Sequence, residues 1–229
     1  MLTHQIHHRP AYAQLELTLP ARESLLVESG SMAAMDSSIT MKSRMRGGAM
    51  GGIQRMLSGE SFFMSEFTAG DRPGRLYISP AIPGDIQHYQ MRGDRALMVQ
   101  SSGFVASSPT VELDTQFQGF KGFFSGEALF LLRATGRGDL WFSSYGAVLE
   151  VPVDGDYIVD TGYIVAFEDS LTYNVEMLGG LSFRGLRTGI FGGEGLVCRF
   201  RGQGRLWIQS RNLYSLVNFL NPFRPTQSN

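Results

Sequence analysis

Gly193-Glu194-Gly195-Leu196-Val197-Cys198, followed by Gly204-Arg205-Leu206-Trp207-Ile208-Gln209, decides the fold because the chain carries this pattern three times. Gly59-Glu60 and Gly126-Glu127 open the other two copies, so the Gly-Glu pairs stand at 59, 126 and 193, spaced by 67 residues each time. Equal spacing across a whole chain marks one supersecondary unit copied and stacked. The pairs are followed by Phe62-Phe63-Met64, Leu129-Phe130-Leu131 and Leu196-Val197-Cys198, and then by glycine turns at Gly74-Arg75, Gly138-Asp139 and Gly204-Arg205. After each turn, Leu76-Tyr77-Ile78, Leu140-Trp141-Phe142 and Leu206-Trp207-Ile208 continue in one register.

Upstream of each Gly-Glu pair a second motif recurs as Val27-Glu-Ser-Gly30, Gln100-Ser-Ser-Gly103 and Val159-Asp-Thr-Gly162, with an alanine soon after at Ala34, Ala106 and Ala166. Five residues beyond each alanine lies a strand-like apolar residue, Ile39, Val111 or Leu171. Lead-in strands at Tyr12–Leu17, Ile86–Met91 and Val148–Val151 each reach an acidic turn residue, Glu23, Asp94 or Asp156. The expected division is therefore 11–84, 85–146 and 147–212, fused in one compact domain, with a tail at 213–229. The first copy is longest, through an insertion at Asp71-Arg72-Pro73 and a Met/Gly-rich segment from Met41 to Met56.

Runs of four to six Val, Ile, Phe, Tyr and Trp residues bounded by Gly, Pro, Asp and Ser predict short strands. Helical periodicity appears only at Ser215–Leu220, where Asn221-Pro222 stops it. The predicted class is all-β with few short helical turns. Hydrophobic residues make up 43% and charged residues 18%, which supplies a core and excludes a disordered chain. The net charge of −1 provides no field to hold a polyanion by counterion release. No stretch approaches 18 uninterrupted apolar residues, so no spanning helix is expected. The single cysteine, Cys198, shares a period-two face with Leu196 and Phe200, which predicts a buried, unbridged thiol in a reducing compartment. The N-terminus has the look of neither a signal nor a transit peptide, and the expected location is the cytoplasm.

Glu28-x-Gly30-x-Met32-x-x-Met35-Asp36, Gly47-Gly48, Gly59-Glu60-Ser-Phe-Phe63 and Gly193-Glu194-Gly195-Leu196 together resemble the altered-inheritance-of-mitochondria protein family, over about residues 11–212. The resemblance implies a fold similar to the tryptophan-RNA-binding attenuator protein: three tandem attenuator-like β-sandwich or double-stranded β-helix units with pseudo-threefold symmetry. It implies little about activity, since bacterial members have no established one and eukaryotic relatives are linked to mitochondrial membrane organisation. Fold similarity does not transfer a ligand. With Lys42 and Lys121 its only lysines, this chain lacks a Lys-rich RNA-contact pattern.

Candidate positions follow from the repeat. Gly59, Glu60, Gly126, Glu127, Gly193 and Glu194 are expected to serve strand entry, each carboxylate accepting turn N–H groups, or to gather three glutamates on an axis for a cation. Tyr77, Trp141 and Trp207 lie on the strand face opposite their aliphatic neighbours, which offers either a subunit contact or packing within the chain. Lys42, Arg44, Arg46 and Arg55 lie in the Met/Gly-rich segment, read as a loop that could touch a membrane or a partner. His4, His7 and His8 are read as solvated terminal histidines rather than a metal cluster, and His88 stands alone on a predicted strand. No nucleophile-elbow, zinc-protease, Cys-x-x-Cys or phosphate-loop pattern occurs, so no catalytic residue, metal or cofactor is assigned.

The expectation is a non-enzymatic β-scaffold or interaction protein acting as a homo-oligomer, with nucleic acid not expected as a partner. A small-ligand or RNA-binding module of attenuator-like fold and a peripheral membrane-surface protein are the alternatives. The tail, with Leu216, Val217, Phe219, Leu220 and Phe223, is expected to dock on its own body or a neighbour.

Overall fold

Alternation sets the first core strand. Strand β2 (Gln14–Leu19) buries Leu15, Leu17 and Leu19 almost completely and leaves Gln14, Glu16 and Thr18 partly exposed, the period of a half-buried strand. The computed structural model describes residues 2–44, 64–114, 131–177 and 196–224. Over these it is almost wholly β. Beside β2, the first third of the chain contributes β1 (Thr3–His7), β3 (Ser24–Glu28), β4 (Met32–Met35), β5 (Ile39–Arg44), β6 (Met64–Ala69) and β7 (Gly74–Ile78). The middle contributes β8 (Ile86–Arg92), β9 (Leu97–Gln100), β10 (Phe104–Ser107), β11 (Val111–Asp114) and β12 (Leu131–Ser143). The last third contributes β13 (Val148–Asp160), β14 (Ile164–Glu168), β15 (Leu171–Met177), β16 (Leu196–Gln209) and helix α1 (Leu213–Leu220).

One sheet runs β1-β2-β7-β4; the larger follows the path β13-β16-β14-β9-β12-β10-β3-β6-β5, with β8, β11 and β15 attached to it. Leu15, Leu17, Leu76 and Ile78 of the small sheet pack against Leu25, Val27, Phe67, Val105 and Trp141 of the large one. Two further apolar clusters continue along the large sheet, around Phe104, Phe142 and Trp207 and around Phe167, Phe200 and Leu206.

One pairing pattern recurs. Strand β4 meets β7 with Ala34 opposite Tyr77, β10 meets β12 with Ala106 opposite Trp141, and β14 meets β16 with Ala166 opposite Trp207. In each pair the register shifts just before the alanine, between residues 32 and 34, 104 and 106, and 164 and 166. Such a bulge bends a strand so that it can leave one partner for another. The alanines legible in the sequence therefore mark bulge positions.

The glycine turns expected at Gly138 and Gly204 are bends within continuous strands, since β12 and β16 run through them. The same holds for Asp156: β13 passes it without a break, next to Gly155. Gly136 at φ 99° and Gly202 at φ 117° supply a backbone conformation that a side chain would resist, so the chain changes direction while its ladder continues. In the first third of the chain Asp71-Arg72-Pro73 instead separates β6 from β7.

Candidate functional site

The repeated strands bring one carboxylate or imidazole against each aromatic residue of the series. Glu16 stands opposite Tyr77, His88 opposite Trp141 and Glu150 opposite Trp207. The Tyr77 hydroxyl donates to Glu16 at 3.1 Å, and the Trp207 indole N–H donates to Glu150 at 3.1 Å. His88 breaks the series: its Nε2 lies 2.8 Å from Asp139, its ring lies 5.2 Å from that of Trp141, and the buried Trp141 Nε1 has no partner. His4 covers this rung from β1, its ring centroid 4.4 Å from that of His88. Burial there, with the neighbouring His88 charge, lowers the His4 pKa against the opposing pull of Asp139.

A second repeated polar contact carries its sequence signal in spacing rather than in residue identity. Two residues after each alanine lies an oxygen-bearing side chain, Asp36, Ser108 or Glu168. Asp36 accepts the backbone N–H of Arg75 at 2.9 Å, Ser108 that of Asp139 at 2.9 Å and Glu168 that of Arg205 at 3.0 Å. These are side-chain-to-backbone bonds between neighbouring strands, each satisfying a main-chain N–H one step beyond the alanine's ladder.

Glu168 extends this contact into a buried network. It is only 2% exposed, so its charge must be met inside the protein. Arg205 donates Nε and Nη2 to Oε1 at 3.0 and 2.8 Å, Tyr89 donates its hydroxyl to Oε1 at 3.0 Å, and Arg95 donates Nη1 to Oε2 at 3.2 Å. Burial alone would raise the Glu168 pKa; the bonds from Arg205 and Tyr89 outweigh it and hold the carboxyl below the usual range. The Arg205 guanidinium also lies 5.0 Å from the Tyr89 ring centroid and 5.1 Å from that of Trp207. Tyr89, pushed up to about 12 by burial and then by the Glu168 charge, keeps its proton and acts as a donor.

The positions singled out in the sequence fare unevenly. Gly59, Glu60, Gly126, Glu127, Gly193, Glu194, Arg46 and Arg55 lie outside the described residues, as does the side chain of Arg44. Lys42 is exposed on β5, opposite Glu66. Trp141 and Trp207 are 0% and 1% exposed, enclosed by this chain's own strands, so packing within the chain describes both; Tyr77 alone of the series is partly exposed. Both faces of these strands are covered, as β12 shows with Leu140, Trp141, Phe142 and Ser143 all buried.

His4 and His8 are exposed and His7 is half-buried. His4 and His7 belong to β1, which pairs with β2, and His7 Nε2 lies 2.7 Å from Glu16. Arg9 then fixes the segment by donating Nε and Nη2 to the buried Asp85 at 2.7 and 2.9 Å. Cys198 is buried, and burial followed by the Glu176 charge pushes its thiol up to about 12. Helix α1 forms where the periodicity placed it, capped by Asn212 accepting from Tyr214 and Ser215, yet none of its own residues is buried against this chain's body. Among the described residues no group of three His, Cys, Asp or Glu could hold a metal ion. No described helix is long and apolar enough to cross a membrane.

The same architecture is found in solved structures. The X-ray crystal structure of protein SPYM3_0169 from Streptococcus pyogenes superimposes with a TM-score of 0.77 at 25% identity, over 98% of this chain and 100% of that one. An uncharacterized protein of S. pyogenes serotype M6 is 28% identical over 227 residues, 94% of this chain and 88% of its own length. The sequence model of the Mitochondrial biogenesis AIM24 family matches residues 4–211. That match spans β1 to the end of β16, and the chain belongs to this family.

Proposed function

We propose that the protein is a non-enzymatic β-scaffold that works as a homo-oligomer. Its proposed unit is attenuator-like and present three times, at 11–84, 85–146 and 147–212, in a pseudo-threefold arrangement followed by a tail. The shared register around Ala34, Ala106 and Ala166 supports the three units. The observation that carries the scaffold reading is how polar and apolar groups are used. The repeated Asp36, Ser108 and Glu168 contacts are spent on ladder bonds, and Cys198 is closed off. Met35, Tyr157, Ile158, Val217 and Phe219 meanwhile stand exposed, the kind of apolar surface that other protein covers. Light scattering on the chain at micromolar concentration is expected to give a multimer mass; a monomer would overturn the reading.

Peripheral membrane contact is a second reading, favoured by α1, which exposes Tyr214, Val217, Phe219 and Leu220. Co-sedimentation with anionic vesicles that is lost on removing residues 213–229 would support it, and no co-sedimentation would sink it.

A further inference from the structure

Two strand junctions inside the chain are built alike. Strand β3 pairs antiparallel with β10, Val27 opposite Ala106 and Leu26 opposite Ser107. Strand β9 pairs antiparallel with β14, Val99 opposite Ala166 and Met98 opposite Phe167. In each, the valine that stands seven residues before one copy's alanine (Val27 before Ala34, Val99 before Ala106, as Val159 before Ala166) meets the alanine of the next copy, and the step after it is also matched. Both junctions are dry: β9, β10 and β14 are buried at every position.

A third set of the same two elements exists and is not joined. Ala34 lies on β4, which is bonded to β7 and ends the small sheet; Val159 lies on β13, which is bonded to β16 and ends the path of the large sheet. Among the described residues neither strand has a partner on its second edge. The residues there suit a dry junction rather than water. Strand β4 reads Met-Ala-Ala-Met with its last three residues exposed, and on β13 Tyr157 and Ile158 are 39% and 41% exposed. Exposed sheet edges are normally blunted by charge, proline or a cover, and Met32–Met35 contains neither charge nor proline.

We propose that β4 of one copy of this chain pairs antiparallel with residues 157–159 of β13 of a second copy, Ala34 opposite Val159 and Met35 opposite Ile158, repeating the internal junction between chains. The register follows from the two internal examples, in which the valine–alanine pair is followed by the preceding residue of one strand against the next residue of the other. The two edges differ, so the contact is head-to-tail: each chain offers one edge and accepts at the other, and copies add until a ring closes. This rests on the homo-oligomer reading and names its interface.

The test is cysteine cross-linking of the full chain at two exposed positions, Met35→Cys and Ile158→Cys, with the buried Cys198 left in place. Differently tagged single variants are co-expressed and treated with a short bis-maleimide. Cross-strand partners stand about 5 Å apart, well within its reach. The expected result is a covalent dimer carrying both tags that is absent when either variant is treated alone. Ile158→Lys, at a position already exposed, is expected to lower the subunit count while leaving the far-ultraviolet circular dichroism of the chain unchanged. An oligomer that neither cross-links through this pair nor responds to Ile158→Lys would overturn the interface while leaving the homo-oligomer reading intact; an unmodified chain that is monomeric would overturn both. A double variant that cross-links only within one chain would also overturn the proposal, by placing the junction inside a single copy.

Discussion

Trp207 donates its indole N–H to Glu150 across the β13–β16 ladder, whereas Trp141, at the matching rung, has His88 opposite it and its N–H has no acceptor. The two tryptophans are equally buried but differ by one hydrogen bond. Replacing each by phenylalanine removes a similar volume, and only Trp207→Phe also removes a bond to a carboxylate. Trp207→Phe is expected to cost about 1 kcal/mol more than Trp141→Phe in urea unfolding. Equal losses would show that the Glu150 contact contributes nothing.

Glu168 should make the fold sensitive to acid. Its pKa is held below the ordinary value of 4.5 in the folded chain, so its contribution is present above that pH and is lost as pH falls through the folded value. Glu168→Gln leaves the Arg205 guanidinium and Tyr89 hydroxyl without their charged acceptor and is expected to cost about 3 kcal/mol at pH 7. The variant should show a smaller further loss between pH 5 and pH 3 than the unmodified chain. An unchanged acid slope would remove Glu168 from the account.

Glu28 behaves in the opposite sense. Burial pushes its carboxyl up from 4.5 to about 7, so its contribution is fully present below pH 4.5 and is lost as pH rises through about 7. Glu28→Gln is expected to raise the melting temperature at pH 8 and to leave it unchanged at pH 4. A variant that is less stable at pH 8 would show that the carboxylate has a partner that favours its charge.

Cys198 offers a clock for opening of the third core cluster, where it packs with Phe200 and Leu206. With its thiol pushed up to about 12 and no exposed surface, it is expected to react with a maleimide at pH 7 only as fast as the chain unfolds. Labelling within seconds under native conditions would contradict the burial.

The parts of the fold legible in the sequence were those with a local cause. The all-β class followed from short β-branched and aromatic runs, α1 from the spacing that ends at Asn221-Pro222, and Cys198 from its alternation with Phe200. Gly138 and Gly204 look like turn residues because glycine serves a turn and a strand bend alike; only the partners on either side of β12 and β16 separate the two. Strand β1 escaped because Thr3–His7 is mostly polar, and it holds its place by pairing with the neighbouring β2 and through the Arg9–Asp85 pair, whose partners are distant in sequence. Trp141 and Trp207 were placed on the correct side of their strands, but alternation gives no information about whether a second layer covers that side. The oxygen-bearing residues Asp36, Ser108 and Glu168 differ in type, so identity matching passed over them although their spacing from the alanines is fixed.

Native mass spectrometry of the untagged full chain tests the scaffold claim most directly, since one spectrum reports subunit count and any bound mass. The expected spectrum shows a single closed oligomer whose mass is a whole multiple of the chain with nothing added. A bare monomer, or a stoichiometric small-molecule adduct retained through purification, would contradict it.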